Sequence, residues 1–325
     1  PEVWPIAGDF RIARGAKHTA DVVVVTLASD GGMGCGECVP YARYGESVAG
    51  TIKTANTYLQ GCAHLPGRDE LIASLPAGAA RNAIDCALID LEGRLSGQSA
   101  WNRLGIAAPM PLETAYTLSL GSPESMAATA LQHTAWSLLK LKLGGDDAAL
   151  DVGRLAAVRD AAPGARLMVD ANESWTPTYL DAMLEALEAC GVVLLEQPLP
   201  ADADDMLAGL DLPIPVGADE SVHDNLDLDA LAGKYSVLNL KLDKTGGLTR
   251  ALAMQKAAQA AGLCVMVGCM VATSLSMLPA MLLAQNADFV DLDGAALLAR
   301  DRPGGVDYSN ANAGWPARAC WGETS

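Results

Sequence analysis

The chain has 325 residues, of which 50% are hydrophobic, so it is long enough to bury a large core and too apolar to be disordered. Its 39 Asp and Glu residues outnumber its 22 Lys and Arg residues, and the net charge is −17. The sequence has no run of basic residues to neutralise phosphates, which argues against a nucleic-acid partner. A divalent cation or a small substrate with a cationic group fits this charge balance better.

The sequence predicts neither export nor a membrane span. Residues 1–5 lack the basic and apolar pattern of a signal peptide. The uncharged stretch 257–287 is interrupted by Gly262, Gly268 and Pro279, so it predicts a buried strand and a buried helix. The eight cysteines lack the spacing of a zinc site and are expected to be free thiols. We therefore expect a cytoplasmic protein without a membrane partner.

Residues 1–112 predict an α+β domain. The β-branched run Asp21–Leu27 predicts a strand, a glycine-rich turn follows, and Gly34–Val39 predicts a second strand. A polar loop over residues 41–47 leads into a helix, and apolar residues at helical spacing predict another helix over Ala79–Leu95. Strands followed by helices are typical of an α+β arrangement.

Residues 113–294 change to a regular alternation of strands and helices, which favours a closed parallel barrel. Eight apolar segments predict its strands: Thr114–Leu120, Leu138–Leu143, Arg166–Ala171, Val192–Gln197, Val216–Glu220, Val237–Leu242, Cys264–Cys269 and Phe289–Leu292. Helices are predicted over Leu150–Ala161, Pro177–Ala189, Leu248–Ala261 and Ser274–Gln285. The alternative, an open doubly wound sheet, needs a glycine-rich phosphate loop after its first strand, and Gly121-Ser122-Pro123 is not one.

Carboxylates follow three successive strands of this predicted barrel. Asp170, Glu196 and Asp219 each stand at a strand end, one strand–helix step apart. Because the carboxyl ends of parallel strands meet at one face of a barrel, the three side chains can converge. They would repel one another without a cation, and three hard oxygen ligands favour Mg²⁺.

Lysines occupy the ends of two other predicted strands. Lys140 and Lys142 alternate with leucines, so both point to the same side of their strand. Lys241 lies on the sixth strand, across the barrel mouth, and two lysines on opposite sides of a substrate form a two-base arrangement. A lone Lys is usually a surface residue, and a lone Asp at a strand end is often a helix N-cap. Their joint occurrence, with Asp291 and Asp293 at the eighth strand, favours a site.

These motifs resemble those of the enolase superfamily, in particular its muconate-lactonizing-like subgroup. The matching segments are 139–144 (LKLKLG), 169–175 (VDANESW), 195–200 (LEQPLP), 218–221 (ADES) and 239–247 (NLKLDKTGG). Four further segments resemble the dipeptide epimerases of the L-Ala-D/L-Glu type: 11–15 (RIARG), 40–47 (PYARYGES), 76–88 (PAGAARNAIDCAL) and 291–294 (DLDG). The resemblance covers nearly the whole chain.

The resemblance implies a fold of the α/β class, a modified TIM barrel, (β/α)7β, with an α+β capping domain. The cap would occupy residues 1–112 and the barrel residues 113–294. Residues 295–325 would form a C-terminal segment that returns toward the cap.

The resemblance also implies a role for each strand-end residue. Asp170, Glu196 and Asp219 match the Mg²⁺ ligands. Lys142 and Lys241 match the acid/base pair. Lys140 matches the residue that neutralises the substrate carboxylate, and Asp291 and Asp293 match the pair that holds the α-ammonium group of a dipeptide.

The resemblance also implies residues that contact the substrate side chain. Lys17 stands at the cap position that reaches toward that side chain, where an arginine would bind a carboxylate in bidentate fashion. Asn172, Thr117 and Met270 are further candidates for the pocket, although packing explains Thr117 and Met270 equally well. The cap loop over residues 43–46 either closes over the substrate or is an ordinary surface loop.

We expect a Mg²⁺-dependent isomerase that epimerises the C-terminal residue of a small dipeptide substrate, L-Ala-D/L-Glu, through an ene-diolate. The resemblance places this reaction in bacterial cell-wall peptide recycling, and a homo-oligomer is compatible with it. The same scaffold leaves three alternatives: N-acylamino acid racemisation, o-succinylbenzoate-type dehydration and muconate-type cycloisomerisation. A barrel that only binds a metal or a peptide is a further alternative, which the intact lysine pair disfavours.

Overall fold

The computed structural model describes residues 1–145, 147–224 and 227–323. Its N-terminal sheet has three antiparallel strands, β1 (Glu2–Ile12), β2 (Gly15–Ser29) and β3 (Gly32–Cys38). β2 and β3 contain most of the two strands predicted from the sequence. β1 was not predicted, because only Ile6 in it is fully buried and its sequence includes Pro5 and Gly8, which are poor strand formers.

Four helices complete the cap: α1 (Val48–Gly61), α2 (Arg68–Ser74), α3 (Ala79–Ser96) and α4 (Ala100–Leu104). α3 is the predicted helix and extends one residue further than expected. It packs so closely on β3 that a Cβ atom at Gly36 would lie 2.1 Å from the carbonyl oxygen of Ala83, and one at Gly34 would lie 2.3 Å from that of Ala87. Glycine is therefore required at both positions for the helix to lie directly against the sheet.

The second sheet has eight parallel strands in the order of the chain. They are β4 (Tyr116–Leu118), β5 (Leu138–Lys142), β6 (Arg166–Asp170), β7 (Val192–Glu196), β8 (Val216–Ala218), β9 (Val237–Leu240), β10 (Cys264–Gly268) and β11 (Phe289–Asp291). At the seam between the first and last of them, the N–H of Ala115 donates to the carbonyl of Val290 at 2.9 Å. Each strand lies within the segment predicted for it, and the predicted (β/α)7β barrel with an α+β cap is confirmed.

The described parts of the connections between these strands contain seven helices: α5 (Pro123–Gln132), α6 (Ala148–Ala161), α7 (Pro177–Ala189), α8 (Leu228–Ala232), α9 (Leu242–Thr245), α10 (Leu248–Ala260) and α11 (Ser274–Ala284). α7 has the predicted bounds, since Thr176 caps its first turn and Pro177 begins it. Between β7 and β8 the described chain forms a 3-10 helix, Asp205–Leu207, where the predicted barrel pattern has an α-helix. In the described part of the chain, no helix is both long and apolar enough to cross a membrane.

Polar side chains of α3 hold the cap on the barrel. The Arg81 guanidinium, in a residue that is 2% exposed, donates to the carbonyls of Thr245 and Gly246 at 2.7 and 3.0 Å. Asp85 accepts hydrogen bonds from the N–H and the hydroxyl of Thr249 at 2.9 and 2.6 Å. The bonded barrel residues follow β9 directly, so α3 fixes the segment just beyond that strand.

The end of the chain also contacts α3. The Trp321 indole donates to the carbonyl of Cys86 at 3.0 Å, and the N–H of Gly322 donates to Asp90 at 2.9 Å. The domain boundaries at residues 112 and 294 stay predictions.

A buried carboxyl group lies between α3 and the barrel. Asp243 Oδ1 accepts hydrogen bonds from Asn82 Nδ2 at 2.8 Å and from the N–H of Val39 at 3.1 Å. Burial outweighs these bonds and raises the pKa of Asp243 from 3.8 to about 7. The folded protein therefore keeps a proton that the unfolded chain releases, and the stability that Asp243 contributes falls as the pH rises through 4 to 7.

The variant Asp243→Asn is expected to lose this part of the pH dependence, because the amide stays neutral. Between pH 5 and pH 8, the free energy of unfolding of the wild type should fall by about 1 kcal/mol or more relative to that of the variant. Urea unfolding at pH 5, 6, 7 and 8 measures the difference. Asp30→Asn, at an exposed position, is the control and should follow the wild-type curve. Parallel curves for Asp243→Asn and the wild type would show that Asp243 is ionised in the folded protein.

Candidate active site

Three carboxylates meet at the carboxyl ends of the barrel strands. Asp170 ends β6, Glu196 ends β7 and Asp219 follows β8, and each residue is at most 2% exposed. Lys140 on β5 lies between two of them, with its Nζ 3.1 Å from Asp170 Oδ2 and 2.6 Å from Glu196 Oε2. The structure thus brings together four of the residues that the sequence singled out.

Two further lysines face the same carboxylates. Lys142 Nζ lies 2.5 Å from Asp170 Oδ2, and Lys241 Nζ lies 2.6 Å from Asp219 Oδ2. Lys142 ends β5 and Lys241 follows β9, which is four strands away in the eight-stranded barrel. The two ammonium groups therefore approach the cluster from opposite walls. Both residues are only 7% exposed.

Burial and neighbouring charges shift the ionisation of this cluster. Burial and the charge of Asp170 raise the pKa of Glu196 to about 7. Burial would also raise the pKa of Asp170, but Lys142 and Lys140 outweigh it and hold that pKa below its ordinary value. Burial would lower the pKa of Lys241, but Asp219 and Glu196 outweigh it and raise that pKa. Asp170 and Lys241 are therefore held in their charged forms, whereas Glu196 is protonated in part near neutral pH.

The carboxylates also suit a hard divalent cation. Glu196 Oε1 accepts a hydrogen bond from Asn239 Nδ2 at 2.7 Å, whereas its buried Oε2 has no hydrogen-bond donor among the described residues. The Lys140 ammonium group is near this oxygen but is not oriented to donate to it. A metal ion would satisfy such an oxygen. Asp170, Glu196 and Asp219 are the residues that would hold the ion.

No metal cage is preformed. Over residues 1–145, 147–224 and 227–323, no three Asp, Glu, His or Cys side chains are gathered at metal-binding positions. The ammonium groups of Lys140, Lys142 and Lys241 lie against the carboxylates instead. A cation would therefore enter by displacing lysine contacts.

A pair of aspartates lies beside this cluster, with Asp291 at the end of β11 and Asp293 two residues beyond it. Asp291 Oδ2 accepts a hydrogen bond from Lys140 at 2.6 Å, while its buried Oδ1 has no donor in the described part of the chain. Asp293 Oδ2 accepts from the N–H of Thr117 at 2.6 Å. Burial and the charge of Asp291 raise the pKa of Asp293 to about 7. A cation bound between these carboxylates would relieve both their repulsion and the unpaired oxygen.

The four remaining predicted residues lie farther out. Thr117 is at the edge of the site, through its bond to Asp293. Asn172 donates its N–H to Asp170 Oδ1 at 2.9 Å, and its own buried Oδ1 is unpaired among the described residues. Lys17 is exposed on β2, over the ring of Tyr41 at 5.0 Å, and is not drawn into the buried cluster.

Met270 is half-buried after β10, and its carbonyl would lie 2.4 Å from a Cβ atom at Gly294. This contact explains why glycine follows Asp293. It involves only the backbone of Met270, so a role of its side chain in the pocket stays a prediction.

Two polar residues of the site were not predicted from the sequence. Asn239 donates to Glu196, and the fully buried Lys244 Nζ lies 2.5 Å from Asp219 Oδ1. Asn239 precedes Lys241 by two residues in an apolar strand, and that spacing is the signal that places both on one face. Lys244 lies in the short helix α9, where no such periodicity is available.

Three charged residues near the mouth, Arg14, Glu173 and Glu220, were also missed. Arg14 of the cap donates to Glu220 at 2.6 Å and to Glu173 at 3.1 Å. Arg43, in the predicted cap loop, donates to Glu173 through both Nε and a terminal nitrogen, at 2.9 and 2.8 Å. Arg43 is therefore bonded to the barrel, although 42% of its side chain is exposed. The pairs join segments that are far apart in the chain, so the sequence carries no local signal for them.

Two known protein families match the chain. Residues 1–105 match the mandelate racemase / muconate lactonizing enzyme N-terminal domain, and residues 124–304 match the enolase C-terminal domain-like family. The chain belongs to the enolase superfamily. This confirms the resemblance inferred from the strand-end motifs.

Relatives within the enolase superfamily cover almost the whole chain. The L-Ala-D/L-Glu epimerase of Escherichia coli (strain K12) is 46% identical over 302 residues, which are 92% of this chain and 93% of the relative. The N-acetyl-D-glutamate racemase of Pseudoalteromonas sp is 42% identical over 304 residues, which are 93% of this chain and 95% of the relative. Since these relatives are an epimerase and a racemase, the present superfamily member is an isomerase, as the sequence predicted.

A solved structure of an enolase family member from Agrobacterium tumefaciens is also similar. It is 46% identical, with a TM-score of 0.91, and the match covers 98% of this chain and 96% of that chain. It is described as homologous to dipeptide epimerases, with bound sodium, L-Ala-L-Glu and an ordered loop.

The hydrogen bond from Asn239 to Glu196 can be tested for its contribution to the stability of the protein. Asn239→Leu removes the donor to a buried carboxylate oxygen and is expected to destabilise the protein by about 1–3 kcal/mol. Urea unfolding at pH 8 with EDTA measures the loss. Asn56→Leu, on the exposed side of α1, is the control and should change stability by less than about 0.5 kcal/mol. Equal effects of the two substitutions would contradict a supporting role for Asn239.

Proposed function

We propose that this protein epimerises the C-terminal residue of a dipeptide, with L-Ala-L-Glu and L-Ala-D-Glu as the substrate pair and Mg²⁺ as the cofactor. The observation that carries the proposal is the placement of Lys142 and Lys241 on opposite walls of one buried, carboxylate-lined site. The epimerase name of the Escherichia coli relative supports it, as does the L-Ala-L-Glu bound in the Agrobacterium tumefaciens structure.

Epimerisation removes the proton from a carbon next to a carboxylate and returns a proton to the opposite face. A neutral lysine on one side of that carbon can accept the proton while an ammonium group on the other side donates one. Lys142 and Lys241 have this relation to the space between them. Either lysine can act first, so the same site serves both epimers.

Negative charge develops on the substrate carboxylate when the neighbouring carbon loses its proton. Asp170, Glu196 and Asp219 would hold a divalent cation, which would supply positive charge there and compete with the lysines for these carboxylates. Lys140 places an ammonium group beside the same carboxylates and adds to this stabilisation. One of Lys142 and Lys241 would act as the base in its neutral form.

Asp291 and Asp293 favour a substrate with a free amino group. Their two buried carboxylates lie side by side, and one oxygen of Asp291 has no donor among the described residues. The α-ammonium group of a dipeptide would donate charge-assisted hydrogen bonds to both. The other end of the substrate faces the cap, where Lys17 and its neighbour Tyr41 would meet the side chain of the C-terminal residue. A glutamate carboxylate suits the charge of Lys17.

We also propose a cytoplasmic location and a homo-oligomeric state for the protein.

Proton NMR in D₂O with Mg²⁺ tests this function on a dipeptide library that includes both Ala-Glu epimers. The signal of the C-terminal α-proton should disappear as the other diastereomer appears, and EDTA should stop the reaction until Mg²⁺ is restored. Faster reaction of another dipeptide would overturn the glutamate preference but not the chemistry. Absence of exchange with every dipeptide would contradict the proposed function and favour a barrel that only binds.

Substitution of each lysine tests the two-base assignment. Lys142→Ala and Lys241→Ala should each lower epimerisation by about 10² to 10⁴-fold. Deuterium exchange should persist from one epimer in the first variant and from the other epimer in the second, because each retains one base. Lys53→Ala, on the exposed side of α1, is the control. Undiminished exchange from both epimers in either variant, with circular dichroism confirming the fold, would refute the assignment.

Racemisation of an N-acylated amino acid such as N-acetylglutamate is the second candidate, favoured by the name of the Pseudoalteromonas relative. The aspartate pair distinguishes the two, because an acylated substrate has no ammonium group to place there. Asp293→Asn keeps an acceptor for the N–H of Thr117 but removes a charge. It should lower kcat/KM for L-Ala-L-Glu by about 10 to 100-fold and leave any activity on N-acetylglutamate less affected. The opposite order would favour the racemase.

A further inference from the structure

Glu173 joins two separate parts of the cap to the barrel. It follows the β6 strand end and has a left-handed backbone conformation, with a φ of 65°. One of its oxygens accepts from Arg14 at 3.1 Å and from Arg43 Nε at 2.9 Å. The other accepts from Arg43 at 2.8 Å and from the N–H of Ala201, after β7, at 3.0 Å. Its carboxylate therefore connects three segments at one point.

The two arginines come from different elements of the cap. Arg14 lies in the turn between β1 and β2, three residues before Lys17. Arg43 lies in a 3-10 helix, Ala42–Tyr44, that follows β3. Tyr44, the next residue, contacts His223 of the barrel edge-on at 5.0 Å between ring centroids. Both cap segments that face the mouth of the site are therefore hydrogen-bonded to the carboxylate of Glu173.

Arg14 also contacts the segments that follow β6, which ends with Asp170, and β8, which directly precedes Asp219. It donates to the carbonyl of Asn172 at 2.6 Å and to Glu220 at 2.6 Å. Asn172 lies two residues beyond Asp170, and Glu220 directly follows Asp219. The cap turn is therefore in direct contact with the segments that position those two carboxylates.

The contacts of Glu173 are stronger than those of an exposed ion pair because its side chain is buried. Exposed ion pairs contribute little to stability, but the side chain of Glu173 is only 7% exposed and its bonds to Arg43 are bidentate. Burial would raise the pKa of Glu173, but Arg43 and the N–H of Ala201 lower it, so the carboxylate is charged. A cavity of about 380 Å³ lies directly beside it, lined in part by Arg43, Tyr44 and Glu220.

We propose that Glu173 is a positioning residue that holds both cap segments closed over the active site, through a latch formed by Arg14, Arg43 and Glu173. Substrate must pass these segments, because Lys142 and Lys241 are buried when they are in place. Release of the latch opens the site toward the neighbouring cavity. Its closure places Lys17 and Tyr44 against the bound substrate. The consequence for substrate selection rests on the proposed function, whereas the latch itself rests on the contacts alone.

Limited proteolysis of Glu173→Gln tests the latch without substrate. Trypsin cleaves after Arg14, Lys17 and Arg43, and the substitution retains all three sites. Loss of the charged acceptor should increase the rate of cleavage at these sites by about tenfold. Glu92→Gln is the matched control, since Glu92 also pairs with two arginines, Arg68 and Arg103, elsewhere in the cap. Equal rates in Glu173→Gln and wild type, or equal acceleration in Glu92→Gln, would overturn the latch.

Arg43→Gln gives a second test, independent of whether Glu173→Gln folds. Arg43 is at the surface, with 42% of its side chain exposed, so its replacement should disturb folding less than that of the buried Glu173. Hydrogen exchange of the backbone amides in residues 41–46 should become at least several-fold faster than in the wild type. Unchanged exchange would overturn the latch.

Steady-state kinetics then test positioning of the substrate. Glu173→Gln should raise KM for the dipeptide by about tenfold with a smaller change in kcat, because a smaller fraction of the protein is closed. Exchange from the two epimers should fall by the same factor, unlike in the lysine variants. Unequal effects on the epimers, or an unchanged KM, would exclude a role in substrate positioning. If the wild type epimerises no dipeptide, the proposed function fails, and proteolysis and hydrogen exchange still decide the latch.

Discussion

The burial of several carboxylates close together at the barrel mouth is the constraint on which the rest of the structure depends. Five carboxylates lie there almost without contact to water: those of Asp170, Glu196, Asp219, Asp291 and Asp293. Each needs a positive partner or a hydrogen-bond donor, because an isolated buried charge is strongly unfavourable. Parallel strands meet this need by delivering lysines to the same face of the barrel as the carboxylates. Two of their oxygens, one on Glu196 and one on Asp291, have no hydrogen-bond donor among the described residues, and there an ion and a substrate would complete the site.

The barrel and its inner ring of residues could be predicted from the sequence, because both depend on local patterns. A short apolar run between turn signals identifies a buried strand, and a polar residue at its end then faces the mouth. Lys140 and Lys142 illustrate this, since alternation with leucine fixes their common face, and both lie in the cluster. The pattern identifies which residues meet. It does not give their ionisation, which depends on burial and on neighbours from other strands, as the raised pKa of Lys241 shows.

Contacts between remote segments could not be predicted in this way. Arg14 and Glu173 are separated by 159 residues, and Asn239 and Glu196 by 43. Nothing in the sequence around either partner specifies the other, so only the folded chain reveals the pair. β1 was missed for a related reason: an edge strand of the cap is mostly exposed and lacks the burial that makes inner strands recognisable.

The close packing of α3 determines how this enzyme can diversify. The helix lies against β3 through two glycines and is bonded to the barrel through Arg81, so it belongs to the interior of both domains. Movement of such a cap as a rigid body would break these hydrogen bonds and separate α3 from the barrel. The segments around Arg14 and Arg43 lie outside this packed interior, so they can change with less disturbance of it. Selectivity for the substrate side chain can therefore vary by a few substitutions in two short surface stretches, while the chemistry remains in the barrel.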